Sequence, residues 1–295
     1  MVDKPPAWSS HDVVGKIRNI LGERRVGHFG TLDPLATGLL LVAVGQATRF
    51  FPYFSAADKS YCGRIRLGYA TDTYDAQGRA ITIESDELPD KEKLLTAMAG
   101  LTGSFLQVPP PFSAKKIQGR PSYKLARRQR EVELVPKLVT VRSFAMESYN
   151  PPCVTFRTEC SAGTYIRSMA HDLGTALGCG AHLQSLCRLS SGEYRLEQAL
   201  PLQEIERLAA QGGQPSFLLP IETLLSGFPK VLLNEPGCRL IKNGRRVSAS
   251  DMEPGQPWPS PLSPIIRLFG PDHRLKALAR PDPDGRSLHP FLVLK

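Results

Sequence analysis

The sequence is poor in the features that announce most enzyme classes. Its 295 residues hold six cysteines, at positions 62, 153, 160, 179, 187 and 238, and no CxxC pair. That is too few, and too scattered, for a disulfide framework in a chain of this length. The nearest approach to metal-ligand spacing is Cys179-x-x-His182 followed by Cys187, which lacks a fourth partner nearby; no metal site is expected. No apolar run approaches the ~20 residues of a membrane span, and no apolar stretch of signal-peptide length follows a basic start. These absences predict a cytoplasmic protein with reduced thiols. Nucleotide loops are missing too. Gly22 to Gly27 has the length of a P-loop but is followed by His28 and Phe29 instead of Lys and Ser/Thr. No GxGxxG follows a strand, and His171-Asp172 is not part of an HExxH. ATP- and dinucleotide-driven chemistry is disfavoured.

What the chain has is positive charge, unevenly spread. Lys and Arg number 37 against 28 Asp and Glu, a net +9. Nine basic residues and two acidic ones fall between Phe112 and Arg142, around Tyr123, and residues 229–295 carry eleven basic against six acidic. A solvated surface accounts for some of this. A polyanionic partner, most commonly nucleic acid, accounts for the clustering better.

The length suits a catalytic domain plus a small one. Ser9 and Ser10 are placed to cap a helix running to Gly22, with Val13, Val14, Ile17, Ile20 and Leu21 on one face. Residues 39–44 form an apolar run of strand length. Alternation about Tyr61, Gly63, Ile65 and Leu67 predicts a half-buried strand. Residues 72–78 are turn-rich, with 80–83 expected to return as a hairpin partner. Residues 90–99 read as a helix, and 138–146 and 154–160 as strands parted by Asn150-Pro151-Pro152. Ile166, Met169, Ala170, Leu173 and Leu177 mark a second amphipathic helix. Without a sustained βαβ rhythm, this mixture predicts an α+β fold around a largely antiparallel sheet. The Gly- and Pro-rich interval 211–229 is the best boundary, and the short apolar runs beyond it predict a small all-β module.

Two segments carry chemistry. Gly27-His28-Phe29-Gly30-Thr31-Leu32-Asp33-Pro34-Leu35-Ala36-Thr37-Gly38 places a carboxylate in a Gly-rich loop, and Pro34 keeps Asp33 out of helical geometry. Asp33 has two local readings, a helix N-cap or a nucleophile or base. Arg167 lies in the first turn of the second amphipathic helix, the unfavourable end of the dipole for a cation. A partner is expected there, either a carboxylate or a phosphate.

These segments, with Asp3-Lys4-Pro5, Ser9-Ser10, Lys59-Ser60-Tyr61, Thr71-Asp72-Thr73-Tyr74-Asp75, the block from Gln107 to Lys116, Cys160 to Arg167 and Leu177 to Leu183, resemble the bacterial tRNA pseudouridine-55 synthase (TruB) family. The likeness runs from about Asp3 to Tyr194, in order, through several independent blocks. Two departures stand out. Only Met1 and Val2 precede Asp3 where the family has several apolar residues, which suggests a shortened first strand or a start internal to a longer reading frame. Ala7 stands where the family commonly has Gly.

The resemblance implies an isomerase that turns uridine 55 of the tRNA T-loop into pseudouridine after flipping the base out. It implies the pseudouridine-synthase fold, a mixed, largely antiparallel central sheet with flanking helices, in a catalytic domain at 1–228. Residues 229–295 are expected as a small β-barrel of the PUA type, with Gly237 to Val247 resembling its opening. The reaction is redox-neutral and demands no cofactor or metal. By resemblance Asp33 is the nucleophile, acting at C1′ directly, through a glycal-like intermediate, or at uracil C6. Arg167 holds Asp33 ionised. Tyr61 stacks on the uracil and is a candidate for the late proton transfer from C5. Tyr165 and Leu186 wall the base pocket, His28 fills the space the base vacates, and Asp75 and Lys4 complete the substrate-binding set. Lys115, Lys116, Arg120, Lys124, Arg127 and Arg128, in an insertion at about 112–135, are expected to clasp RNA, ordering only once phosphates neutralise their repulsion. A monomer acting on the tRNA T-arm, with no membrane partner, is expected. Two other readings fit parts of the sequence: a tRNA-folding factor without chemistry, and a hydrolytic nucleosidase pairing Asp33 with Asp72 or Asp75.

Overall fold

The computed structural model describes residues 1–112, 116–117, 120–121, 134–212, 216–260 and 262–294. Two units emerge, Met1–Gly212 and Gly213–Lys295.

The first unit is built on one large sheet. Its strands are β1 (Val2–Lys4), β3 (Thr37–Leu40), β5 (Lys59–Leu67), β6 (Gly103–Gln107), β9 (Lys137–Asn150), β10 (Cys153–Cys160), β11 (Ala181–Ser191), β12 (Tyr194–Arg195) and β13 (Leu200–Pro201). They lie in the order β13-β1-β3-β11-β5-β10-β9-β6, with β12 beside β11. The β1–β13 and β3–β11 pairs are parallel and the others antiparallel. The mixed, largely antiparallel sheet is the one expected. Alternation explains which face of β5 is buried: Tyr61, Ile65 and Leu67 turn inward while Arg64 is exposed.

Helix α1 (Ser10–Leu21) starts where the sequence places it. Ser9 is the N-cap and makes a reciprocal capping box with Asp12, and Gly22 ends the helix in the left-handed region at φ 62°. Short α2 (Phe51–Ser55) and α3 (Lys91–Gly100), capped by Asp90, follow. Helix α4 (Ile166–Leu177) buries Ile166, Met169, Ala170 and Leu173 against the sheet.

Two elements differ from expectation. The apolar run 39–44 is two strands: the chain leaves the main sheet after Leu40, and Val42–Val44 (β4) pairs instead with Val26–His28 (β2). A continuous apolar run has no periodicity to reveal such a break. Residues 80–83 form no strand. Ala80 makes one bridge to Thr71, while Ile81 and Ile83 are exposed. The loop closes on itself through Arg79 N–H donating to the Asp72 carboxylate at 2.8 Å, so no apolar face holds a strand down.

A two-stranded ribbon, β7 (Lys116–Ile117) with β8 (Arg120–Pro121), lies in the basic insertion. In the second unit β14 (Lys230–Leu232), β15 (Ile266–Phe269), β16 (Leu275–Pro281) and β17 (Leu288–Val293) form an open four-stranded sheet in that order; no closed barrel appears among the described residues. Val231, Leu233, Ile241, Ile266, Leu268, Ala277 and Leu288 make its core. The module is not all-β. Between Val231-Leu232-Leu233 and the next strand sits a helix, Glu235–Lys242, with Asn234 as N-cap and a proline in its first turn, an N-terminal signature that the strand reading passed over.

Candidate active site

The loop bearing Asp33 is held by its backbone. Buried Ser10 donates its hydroxyl to the Leu32 carbonyl at 2.9 Å and accepts the Leu32 N–H at 2.8 Å. The Ala7 N–H reaches the Pro34 carbonyl at 2.9 Å. Fully buried Lys4 donates to the carbonyls of Pro5, Trp8 and, at 3.5 Å, Pro34. From the other side Arg188, 1% exposed, donates to the carbonyls of Leu39, Gly30 and Thr31. Gly38, in the left-handed region at φ 92°, lets β3 run against the Arg188 backbone, where a Cβ would stand 2.5 Å from the Arg188 carbonyl oxygen.

Asp33 caps no helix. Its carboxylate meets Arg167, which comes from the start of α4, 134 residues further along. Arg167 Nη2 donates to Oδ1 at 3.2 Å and Nε lies 2.9 Å from Oδ2, the latter an ion-pair contact off the hydrogen-bond line. Arg167 is buried, whereas the Asp33 side chain is 39% exposed and opens to solvent. The guanidinium also donates to the Thr73 carbonyl at 3.2 Å and stands 3.6 Å from Asp75 Oδ2. Asp75 is itself buried, accepting from the Thr73 hydroxyl at 2.7 Å and the Gln77 N–H at 3.0 Å. Two carboxylates and a carbonyl thus offset a cation at the wrong end of a helix dipole. Asp72 serves the turn through Arg79.

Around this pair lies a cavity of about 230 Å³. Asp33, Tyr61, Tyr165, Arg167, Leu186 and Arg188 line it, with Lys59 and the Gly30–Leu32 backbone. Tyr61 is almost fully buried; burial pushes its phenol up, and the charge of Arg188 acts against that. Tyr165 is fixed through its backbone, whose N–H and carbonyl both pair with the buried Gln107 amide, at 2.8 and 3.0 Å. Leu186 offers an apolar wall. The site therefore presents one solvent-reachable carboxylate, a buried cation aimed at it, a phenol and flat apolar surface, the groups needed to hold a planar base beside a nucleophile.

The other expected residues stand further out. Asp75 is behind Arg167, off the cavity wall. His28 sits on β2, also off the wall; burial, then the charge of Arg188, holds its imidazole below the usual value and favours the neutral ring. Lys4 is beneath the Asp33 loop, its ammonium lowered to about 8 by burial, with Asp33 opposing the shift. Lys115, Lys124, Arg127 and Arg128 fall outside the described residues, and of Lys116 and Arg120 only the backbone is described.

Arg188 and Lys59 were not among the expected site residues. Burial lowers the Lys59 ammonium to about 8, and it donates to the Ser55 carbonyl at 2.7 Å and the Ala57 carbonyl at 2.5 Å. Lys59 had a signal, since it opens the Lys59-Ser60-Tyr61 block. Arg188 had no motif to mark it; it stands two residues beyond Leu186, on the same strand face, and is enclosed by long-range packing.

Comparison with known proteins agrees with this geometry. Residues 18–166 match the model of the TruB family pseudouridylate synthase N-terminal domain, and residues 167–226 that of the tRNA pseudouridylate synthase B C-terminal domain. The chain is 44% identical over 250 residues to a tRNA pseudouridine synthase B of Solibacter usitatus, covering 85% of each chain. It is 35% identical over 292 residues to one of Dehalococcoides mccartyi, covering 99% of this chain and 94% of the relative. Among solved structures, an H/ACA RNP bound to a substrate RNA containing 2′-deoxyuridine includes a chain that superposes with TM-score 0.71 at 22% identity, covering 100% of this chain and 84% of the other. An archaeal box H/ACA sRNP Nop10–Cbf5 complex gives TM-score 0.68 at 23% identity, covering 99% and 84%. The last two speak for the fold, the first for the lineage: the chain belongs to the TruB family of tRNA pseudouridine synthases, isomerases of tRNA uridine.

Proposed function

We propose that this chain isomerises uridine 55 in the T-loop of tRNA, with the uridine flipped out of its stack and Asp33 as the nucleophile. The observation that carries the reading is the convergence of Asp33 and Arg167 at the mouth of a cavity walled by Tyr61, Tyr165 and Leu186. A uridine within a folded loop reaches a recessed carboxylate only by leaving the stack. Once inside, its ribose C1′ faces Asp33, which Arg167 keeps ionised and aimed. Uracil is retained against Leu186 and the two tyrosines while it turns, so that C5 returns to C1′. The Tyr61 phenol, in the cavity wall, is assigned the late proton transfer from C5. His28 takes the place of the evicted base, and Lys4 and Asp75 act from behind by holding the Asp33 loop and Arg167. The basic insertion and the second unit, in this reading a PUA-like module, add contacts to phosphates.

Incubating the protein with an unmodified tRNA transcript and mapping the product tests this. Pseudouridine is expected at position 55 alone; modification at another position contradicts the site assignment. Asp33→Ala is expected to reduce turnover below detection while leaving tRNA affinity within about tenfold, because phosphate contacts are spread over many cations. Free uracil in the wild-type reaction would indicate hydrolysis instead.

A further inference from the structure

The face of the central sheet turned away from the cavity carries two thiols side by side. Cys62 on β5 and Cys187 on β11 are directly opposed in an antiparallel register, so their side chains rise from the same face of the sheet. Both are free and partly accessible. Strand alternation puts them on the reverse side from their neighbours Tyr61, Leu186 and Arg188, which line the cavity. The row continues across the sheet to Thr37 on one side and Arg157 on the other.

Residues directly opposed in an antiparallel pair have Cα atoms about 4.5–5.5 Å apart. A disulfide requires about 4.4–6.8 Å. The backbone is therefore already at bridging distance, and two thiols on one face of directly paired strands need only a side-chain rotation to link. Burial raises the Cys62 thiol, and the neighbouring Cys187 adds to this, while the Arg157 guanidinium in the same row favours the thiolate. The other four cysteines lack such a partner in the strand registers: Cys153 and Cys160 both lie on β10, opposite Arg66 and Lys59 of β5.

We propose that Cys62 and Cys187 form a modification site, at which a hydroperoxide converts the two thiols into a reversible cross-strand disulfide. The Cys62 thiolate attacks a peroxide oxygen, the O–O bond breaks, and a sulfenic acid forms as water or an alcohol leaves. The Cys187 thiol attacks that sulfur; the S–S bond forms and the sulfenic hydroxyl departs as water with the thiol proton. The two sulfurs together give up two electrons, and the peroxide takes them. A small thiol reverses the bond by exchange. The link ties the strand carrying Tyr61 to the strand carrying Leu186 and Arg188 from behind.

The experiment treats the full-length protein with hydrogen peroxide and follows intact mass, peptide mapping and thermal melting. A loss of two hydrogens is expected, with a peptide pair joined through Cys62 and Cys187 that dithiothreitol separates. Cys187→Ser is expected to give no link and to leave a dimedone-reactive sulfenic acid at Cys62. Cys62→Ser is expected to give neither. A native melting curve with no loss of two hydrogens overturns the proposal, as does a disulfide mapping to any other pair. Sulfinic acid at Cys62 without a linked peptide overturns it equally.

Discussion

At the scale of single residues, Arg167 has two separable duties. It neutralises Asp75, buried behind it, and it aims Asp33, which water can reach. Arg167→Met strips both. Losing one partner of a buried pair typically costs about 3–5 kcal/mol, so the urea midpoint is expected to fall. Adding Asp75→Asn to that variant removes the stranded charge and is expected to recover much of the midpoint without recovering turnover. Stability and turnover returning together would mean Arg167 acts only as a structural counter-charge. Ala7 is a second informative position. Its φ of 65° is a left-handed conformation that costs a side-chain-bearing residue about 1–2 kcal/mol. Glycine relieves this, less roughly 0.4–1 kcal/mol for a more flexible unfolded chain. Ala7→Gly is therefore expected to raise the melting temperature slightly. The position was visible in the sequence as a departure from a family habit, but the reason for the habit, a backbone angle, was not.

At the scale of elements, α4 joins Arg167 to a half-buried acid, Asp172. Burial raises the Asp172 carboxyl to about 6, from near 4 in an unfolded chain. The folded state thus binds this proton more tightly, so the contribution is intact below about pH 4 and is lost as pH rises through about 6. Asp172→Asn is expected to melt with the wild type at pH 4 and above it at pH 8; the reverse order would show a favourable partner for the charge. Both amphipathic helices were legible because apolar spacing and caps are local. The split of the 39–44 run and the missing strand at 80–83 were not, because each depends on which distant strand is present to pair. The same division holds within the site. Asp33 stood out through Gly and Pro neighbours and Arg167 through its place on a helix, yet it took a contact across 134 residues to show that the Asp33 carboxylate pairs with Arg167 and caps no helix. Arg188, enclosed by the very loop it supports, shared the strand face of Leu186 but belonged to no motif.

At the scale of the molecule, every cavity residue lies between Gly30 and Arg188, inside the first unit, while a large share of the cations lies elsewhere. Chemistry and affinity are expected to respond differently to salt. Each phosphate neutralised contributes about −0.7 to −0.9 to the slope of log affinity against log salt. Filter-binding titrations over a salt series are expected to show tRNA affinity falling steeply, with single-turnover rates at saturating protein nearly constant. A rate falling in step with affinity would place a phosphate contact in the chemical step itself.

Ser10, Ala7, Lys4 and Arg188 all grip peptide groups flanking Asp33 and leave the carboxylate's own oxygens to Arg167. On the proposed reading, the nucleophile is consequently aimed before any RNA arrives, and docking has no catalytic loop to assemble. The free energy of docking can go to prising one pyrimidine from its neighbours, and swapping Asp33 for its amide should give an inert protein that still captures the everted nucleotide, a ready means of trapping the encounter for direct view.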